Sequence, residues 1–315
     1  MATFLVTGGA GFIGSNLVEA ILRRGDSARV LDDFSTGRRE NLADTAAWAS
    51  EGGGSFDLIT GDIRDAATCR TATEGVDFVL HQAAIPSVQR SVQDPVTTNE
   101  VNVAGTLNLL TAARDAGVRR FVFASSSSLY GDSETLPKVE TMPPAPISPY
   151  GLQKLTGETY CRLFHALYGL PTVALRYFNV FGPRQDPTSE YSAVIPKFVT
   201  AIREDRAPTI YGDGEQTRDF THISNAVSAN LLACEATNGA LGEAYNAACG
   251  DRISLNQLVE TLAGFAGKKV VPEHAPPRPG DIKHSLAGID KAIEKLGYRV
   301  EVDVHEGLRR TWDEL

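Results

Sequence analysis

The stretch TFLVTGGAGFIGSNLVEAILRRG, Thr3 to Gly25, sets an apolar run, a glycine cluster and an amphipathic repeat in a row. TFLVT carries no charge and is built from β-branched, aliphatic and aromatic residues, the pattern of a strand buried on both faces. Gly8, Gly9, Gly11 and Gly14 follow. From Phe12 and Ile13 onward, apolar residues recur at helical spacing until Gly25 closes the helix. Strand, glycine turn and helix in that order predict a backbone that approaches a pyrophosphate and a helix N-terminus that receives it.

The same alternation continues downstream. ARVLDDF (28–34), FDLITGDI (56–63), VDFVLHQAA (76–84), RRFVFASSSSLYG (119–131) and LPTVALRYFNVFG (170–182) read as buried parallel strands, with helical or loop material between them. A Rossmann-type, doubly wound α/β sheet is the expected fold. Residues 1–180 are expected to form the nucleotide-binding domain, and 181–315 a smaller, mixed, substrate-binding lobe whose segments interleave with the first.

Asp32 ends the second strand. A carboxylate there can accept the adenine ribose hydroxyls and repel a 2′-phosphate, which favours NAD over NADP. Asp33 follows it, and Arg38 and Arg39 lie close in sequence. Asp62 ends the third strand, and Ala83 and Ala84, small enough for a cofactor to cross them, end the fourth.

The net charge of −9 argues against a general nucleic-acid or anionic-membrane binder. No apolar stretch is long enough to span a bilayer. The cysteines Cys69, Cys161, Cys234 and Cys249 show no C-x-x-C spacing, so reduced thiols in a cytosol are expected, with neither disulfides nor zinc.

SPYGLQK (148–154) puts Tyr150 and Lys154 four residues apart just after a proline, which suits a first helical turn. On a helix the two share a face. A free phenol, with a pKa of about 10, is a poor base at neutral pH. A lysine cation and a cationic nicotinamide ring beside it would stabilise the phenolate and bring it into range. Ser125 to Ser128 end the fifth strand at the sheet edge where such folds bind ligands, and one of these hydroxyls can hold the substrate hydroxyl.

Taken together, TGGAGFIG, LDDFSTG, GDI, HQAA, NVAGT, ASSSSLYGD, SPYGLQK, LRYFNVFGPRQDP, IYGDGEQTRDF and PPRPGD resemble the extended short-chain dehydrogenases/reductases. Within these the chain is similar to the nucleoside-diphosphate-sugar 4-epimerases typified by UDP-galactose 4-epimerase. The resemblance covers essentially the whole chain and implies the following roles. Tyr150 is the catalytic base, Lys154 its partner and a ligand of the nicotinamide ribose, and Ser126 the catalytic hydroxyl, with Ser127 and Ser128 as neighbouring candidates. Gly8, Gly11, Phe12, Ile13, Gly14, Asp32, Asp33, Asp62, Ile63, Gln82, Ala83, Ala84, Asn99 and Tyr177 border NAD. Asn179, Val194, Tyr211, Arg218, Arg278 and Asp281 bind the UDP portion, with Pro196 beside Val194 at the start of the uracil pocket. The implied homodimer pairs the helix from about Asn99 to Ala116 and the helix after Tyr150 in a four-helix bundle.

The implied reaction is 4-epimerisation through a transient 4-keto sugar, with no net redox change. Ser285 stands four residues after Asp281, where narrow glucose/galactose epimerases carry a bulky aromatic. A small residue opens the pocket toward the sugar 2-position, and with it UDP-GlcNAc/GalNAc, alongside UDP-Glc/Gal. A UDP-glucuronate 4-epimerase is the alternative, with Arg184 placed to meet a carboxylate. The acidic pair that dehydratases use is replaced by Ser127 and Ser128. A non-catalytic NAD-binding regulator would commonly lack the tyrosine or the lysine, and both are present.

Overall fold

The computed structural model describes residues 1–186, 194–277 and 283–314. Seven parallel strands form the central sheet. In chain order the first six are β1 (Thr3–Thr7), β2 (Ser27–Asp32), β3 (Phe56–Thr60), β4 (Phe78–His81), β5 (Arg120–Ser126) and β6 (Thr172–Tyr177). Across the sheet the order is Glu243–Ala247, β6, β5, β4, β1, β2, β3. β1 lies between β2 and β4, with Phe4 aligned to Ala28 on one side and to Phe78 on the other. The strand order therefore reverses between β1 and β4, and a crevice opens there at the C-terminal ends of the strands, where open α/β sheets take ligands.

Both faces are covered, which explains the unbroken apolar runs. The helices Phe12–Arg23 and Ile223–Glu235 pack one face through Leu17, Ile21, Ala229 and Ala233 against Phe4, Val30 and Leu175. The helices Ala66–Thr73, Thr106–Asp115 and Pro149–Tyr168 pack the other, joining Cys69, Leu109, Leu110 and Phe164 to Leu5, Val79 and Phe121. Each fully buried Leu or Phe contributes about 1.5–3 kcal/mol, so the sheet is a rigid base for the loops at its edge. A separate cluster, Phe181, Phe198, Ile210, Leu258, Leu262 and Leu308, forms the core of the later lobe.

A cut at 180/181 does not separate the two cores. The strand Glu243–Ala247 pairs with β6, and the helix Ile223–Glu235 packs on β5 and β6. The chain thus leaves the sheet after Tyr177 and returns to it. Among the described residues, no helix is long and apolar enough to cross a membrane.

Candidate active site

The glycine turn is built by close approach. Gly8 has φ +66°, and a Cβ on it would stand 2.8 Å from the Ala83 nitrogen, so only glycine lets the turn pass this close to the end of β4. A Cβ on Gly14 would come within 2.1 Å of the Gly8 carbonyl oxygen. Gly11 is the N-cap of the helix Phe12–Arg23 and offers no side-chain cap to the first-turn N–H groups. These donors border a cleft of about 470 Å³, lined by Gly8, Gly11, Phe12, Ile13, Gly14, Asp32, Asp33, Asp62, Ile63, Gln82, Ala83 and Ala84, with Tyr150, Lys154 and Tyr177 farther along. Uncapped helix N–H groups at one point and carboxylates at the ends of β2 and β3 fit a dinucleotide: the former suit a pyrophosphate, the latter ribose hydroxyls.

Asp32 is buried. It accepts hydrogen bonds from Ala10 N at 2.9 Å and Phe34 N at 2.8 Å, and burial raises its pKa. It therefore ties the glycine turn to the next loop as well as facing the cleft. Asp33 accepts from the Ser35 N–H and hydroxyl. Asp62 is held well ionised by Arg64, which hydrogen-bonds it at 2.6 and 2.8 Å. Neither of the arginines near Asp32 points to a 2′-phosphate: Arg38 pairs with Asp186, and the Arg39 guanidinium lies 4.0 Å from the centre of the Phe34 ring. Gln82, Tyr177 and Asn230 close a ring of hydrogen bonds, from the Tyr177 hydroxyl to Gln82 Oε1, from Gln82 Nε2 to Asn230 Oδ1 and from Asn230 Nδ2 to the Tyr177 oxygen.

Asn99 does not line this cleft. It is exposed at the end of the helix Pro95–Asn99. The residue that turns inward is Asn102, which accepts from Ile85 N at 2.8 Å and donates to Gln153 on the long helix at 2.8 Å. Asn102 opens the NVAGT motif, and that motif was the signal that could have found it.

The helix Pro149–Tyr168 starts cleanly, with Pro149 in its first turn and the Ser148 hydroxyl accepting from Gly151 N. It lies close on β5, since a Cβ on Gly157 would fall 2.4 Å from the Phe123 ring. This approach buries Lys154, whose Nζ donates to Ala124 O at 2.8 Å and lies 5.8 Å from the centre of the Tyr150 ring. Ser126 hydrogen-bonds Tyr150 and also accepts from the Ser128 N–H and hydroxyl. Ser127 and Ser128 sit in the turn that follows. The lowered Tyr150 pKa expected beside a nicotinamide cation is not produced by the protein groups alone. Burial pushes it up to about 12, outweighing the Ser126 hydrogen bond, and burial pushes Lys154 down to about 8. His81, between the Thr7 and Thr106 hydroxyls, is held neutral, pushed down to about 3 by burial and then by Lys154.

A second cleft of about 520 Å³ begins two residues beyond Tyr177. It is lined by Asn179, Val194, Lys197, Tyr211 and Arg218 among others. Asn179 has φ +25° and donates to Asp219 O and to the Ser285 hydroxyl at 3.4 Å, which brings position 285 beside it. Pro196, two residues beyond Val194 on the helix Val194–Arg203, is buried. Arg278 and Asp281 lie outside the described residues. Arg184, the carboxylate ligand of the glucuronate alternative, is engaged elsewhere: it donates to Asn16 Oδ1 at 2.6 Å and to Glu19 Oε2 at 2.7 Å.

Residues 4–248 match the NAD dependent epimerase/dehydratase family, and the chain belongs to it. It is 40% identical to a UDP-glucose 4-epimerase of Mycolicibacterium smegmatis over 98% of this chain and 96% of that one. Its fold matches a UDP-N-acetylglucosamine 4-epimerase from Methanobrevibacter ruminantium in complex with UDP-N-acetylmuramic acid, with TM-score 0.92 and 38% identity over 99% of this chain and 97% of that one. It also matches the Thermus thermophilus UDP-glucose 4-epimerase complexed with NAD, with TM-score 0.87 and 38% identity over 99% and 98% of the two chains.

Proposed function

We propose that this protein is an NAD-dependent 4-epimerase of UDP-hexoses, acting on UDP-GlcNAc/GalNAc and on UDP-Glc/Gal. One observation carries the proposal: Tyr150, bonded to Ser126, and Lys154 meet along a dinucleotide-sized cleft, next to a second cleft bordered by Arg218. The family match and the names of the relatives support it.

In this proposal Gly11, Phe12 and Ile13 present main-chain donors to the cofactor pyrophosphate, and Asp32 and Asp62 take ribose hydroxyls. NAD, when bound, supplies a reversible hydride acceptor at the sugar C4 and a positive charge beside Tyr150. That charge matters because burial alone leaves the phenol protonated. Tyr150 then holds and moves the proton of the sugar 4-hydroxyl, and Ser126 steadies that hydroxyl. Lys154 holds the nicotinamide ribose and adds a cation to the phenolate side. Asn179 and Arg218, together with Arg278 and Asp281, hold the UDP portion, about which the 4-keto sugar turns to present its other face. An arginine fork suits phosphate oxygens.

Ser285, beside Asn179, leaves space for a 2-acetamido group. The glucuronate alternative is disfavoured, because its carboxylate would have to take Arg184 from Glu19. A cytosolic homodimer completes the proposal. It is supported by the free cysteines and by exposed apolar residues on the helices Val88–Gln93, Pro95–Asn99 and Pro149–Tyr168, namely Val92, Val96, Leu152, Leu163 and Leu167.

The test offers UDP-glucose, UDP-GlcNAc and UDP-glucuronate to purified protein without added NAD and follows the 4-epimers by proton NMR. Epimerisation that vanishes in Tyr150→Phe is the expected result. No epimer from any of them, with NAD present in the denatured extract, would overturn the proposal.

A further inference from the structure

The segment after β6 does more than lead into the later lobe. Pro183 to Asp186 runs along the nucleotide cleft and is fixed at both ends. At one end Arg184, with φ +66°, turns its guanidinium onto the helix Phe12–Arg23. It donates there to Asn16 Oδ1 at 2.6 Å and Glu19 Oε2 at 2.7 Å, and it stands 5.4 Å from the centre of the Trp48 ring. Asn16 returns a hydrogen bond to Pro183 O at 3.2 Å. A left-handed arginine is a strained conformation that persists only where surrounding contacts enforce it.

At the other end Asp186 pairs with Arg38 on the loop after β2. That loop is itself tied to the glycine turn, with Arg38 N and Asn41 Nδ2 both donating to Ala10 O, at 2.9 and 2.8 Å. The contacts close on themselves: glycine turn, Arg38, Asp186, Arg184, and back to the glycine-turn helix through Asn16 and Glu19. Arg38, Asn41, Arg184 and Asp186 line the same cleft as Gly11 and Phe12. The joint nearest solvent is the Arg38–Asp186 pair, whose side chains are 49% and 28% exposed, against 21% and 28% for Arg184 and Glu19.

We propose that residues 183–186 form a strap that retains NAD, with the Arg38–Asp186 ion pair as its clasp and Arg184 as its anchor. The proposal rests on NAD occupying this cleft. It accounts for a need of the reaction: a cofactor reduced and reoxidised within one turnover is useful only if it stays bound. An exposed ion pair is weak, so the clasp slows escape by a modest factor and is screened by salt. The anchor, more buried, matters more.

The experiment measures NAD remaining on the protein during timed gel filtration, assayed in the acid extract, for wild type, Asp186→Asn and Arg184→Gln. Asp186→Asn is expected to lose NAD about threefold faster, and Arg184→Gln about tenfold faster because the strap loses the charged joint that ties it to Asn16 and Glu19. Loss from wild type should accelerate between about 0.05 M and about 0.5 M salt, and loss from Asp186→Asn should respond much less. Turnover lost on filtration should return when NAD is added. Equal release rates with equal salt dependence in all three proteins would overturn the strap and leave the epimerase proposal standing. Wild type that neither carries nor takes up NAD would overturn the cofactor proposal and the strap with it.

Discussion

Lys154 and Tyr150 share a helix face, yet the lysine donates to Ala124 O at 2.8 Å, and its Nζ is 5.8 Å from the centre of the phenol ring. Among the described residues no carboxylate pairs with this buried cation, and burial draws its pKa from 10.5 down to about 8. A drop of that size corresponds to up to about 3 kcal/mol lost to folding at neutral pH. The sign follows from proton counting. Below pH 8 the lysine is charged in both states and the full penalty applies. Between about 8 and 10.5 the unfolded chain holds the proton more tightly, so wild type gains stability as pH rises, and above that range the penalty is gone. Lys154→Met is therefore expected to unfold at higher urea than wild type at pH 7, with an advantage that shrinks toward pH 10, while losing turnover. Urea midpoints at the two pH values check this, and a variant less stable at pH 7 would contradict it.

Glu158 lies one turn beyond Lys154 and makes the opposite use of burial. Its carboxylate takes Arg176 Nη2 at 2.6 Å, Arg176 Nε at 3.0 Å and the Ser125 hydroxyl at 2.9 Å. Arg176 donates in turn to the Tyr130 hydroxyl at 2.7 Å, which donates to Asn246. Burial works against the Arg176 charge, and Glu158 more than offsets it, holding the guanidinium above its ordinary pKa. Glu158→Gln leaves a buried guanidinium with no counter-charge and is expected to lose about 3 kcal/mol. Ser125→Ala, which removes one neutral donor, should lose about 1 kcal/mol. Denaturant unfolding of the two variants checks the order.

How far these features were legible in the sequence depended on distance along the chain. The glycine turn, Asp32 and the Tyr150–Lys154 pair are local patterns, set by one turn or one helical repeat, and each could be read where it stands. Asn99 and Asn102 stand three residues apart, and helical spacing does not tell which of them faces inward. The Arg38–Asp186 clasp and the Glu158–Arg176 pair join residues that only the sheet order brings together. The phenol raised by the protein groups alone is illegible for another reason: a tyrosine and a lysine in sequence announce an attraction, whereas burial, which depends on everything packed around them, sets the sign before a nicotinamide cation is added.

Ser285 lies at 3.4 Å from Asn179 through its hydroxyl, and its own N–H is held by Thr217 O at 3.1 Å. The backbone at 285 is thus fixed, and a larger side chain there has to fill the space next to Asn179. Ser285→Tyr is expected to reduce kcat/KM for UDP-GlcNAc by about tenfold or more, and to leave UDP-glucose within about threefold of wild type. Initial rates on both substrates decide it. Equal losses on the two would mean that position 285 does not face the sugar 2-position.

The apolar row on the helix Pro149–Tyr168 bears on assembly. Leu152, Leu163 and Leu167 are 55%, 40% and 67% exposed, three large apolar side chains along a helix whose other side carries Tyr150 and Lys154. Val92 and Val96, on neighbouring short helices, are 63% and 67% exposed. Exposed large apolar side chains gathered on neighbouring helices mark an interface more often than a solvated face. It also adjoins Tyr150, whose N–H donates at 3.0 Å to the hydroxyl of Ser91, one residue from Val92. Leu163→Asp combined with Leu167→Asp is expected to halve the mass seen by sedimentation equilibrium, since two charges buried in such a contact would each lose their hydration. If the interface also steadies the turn that carries Tyr150, kcat of the monomer should fall by about tenfold with KM little changed. A wild type that sediments as a monomer at all concentrations would rule out the homodimer and, with it, any role for these leucines in holding the catalytic turn.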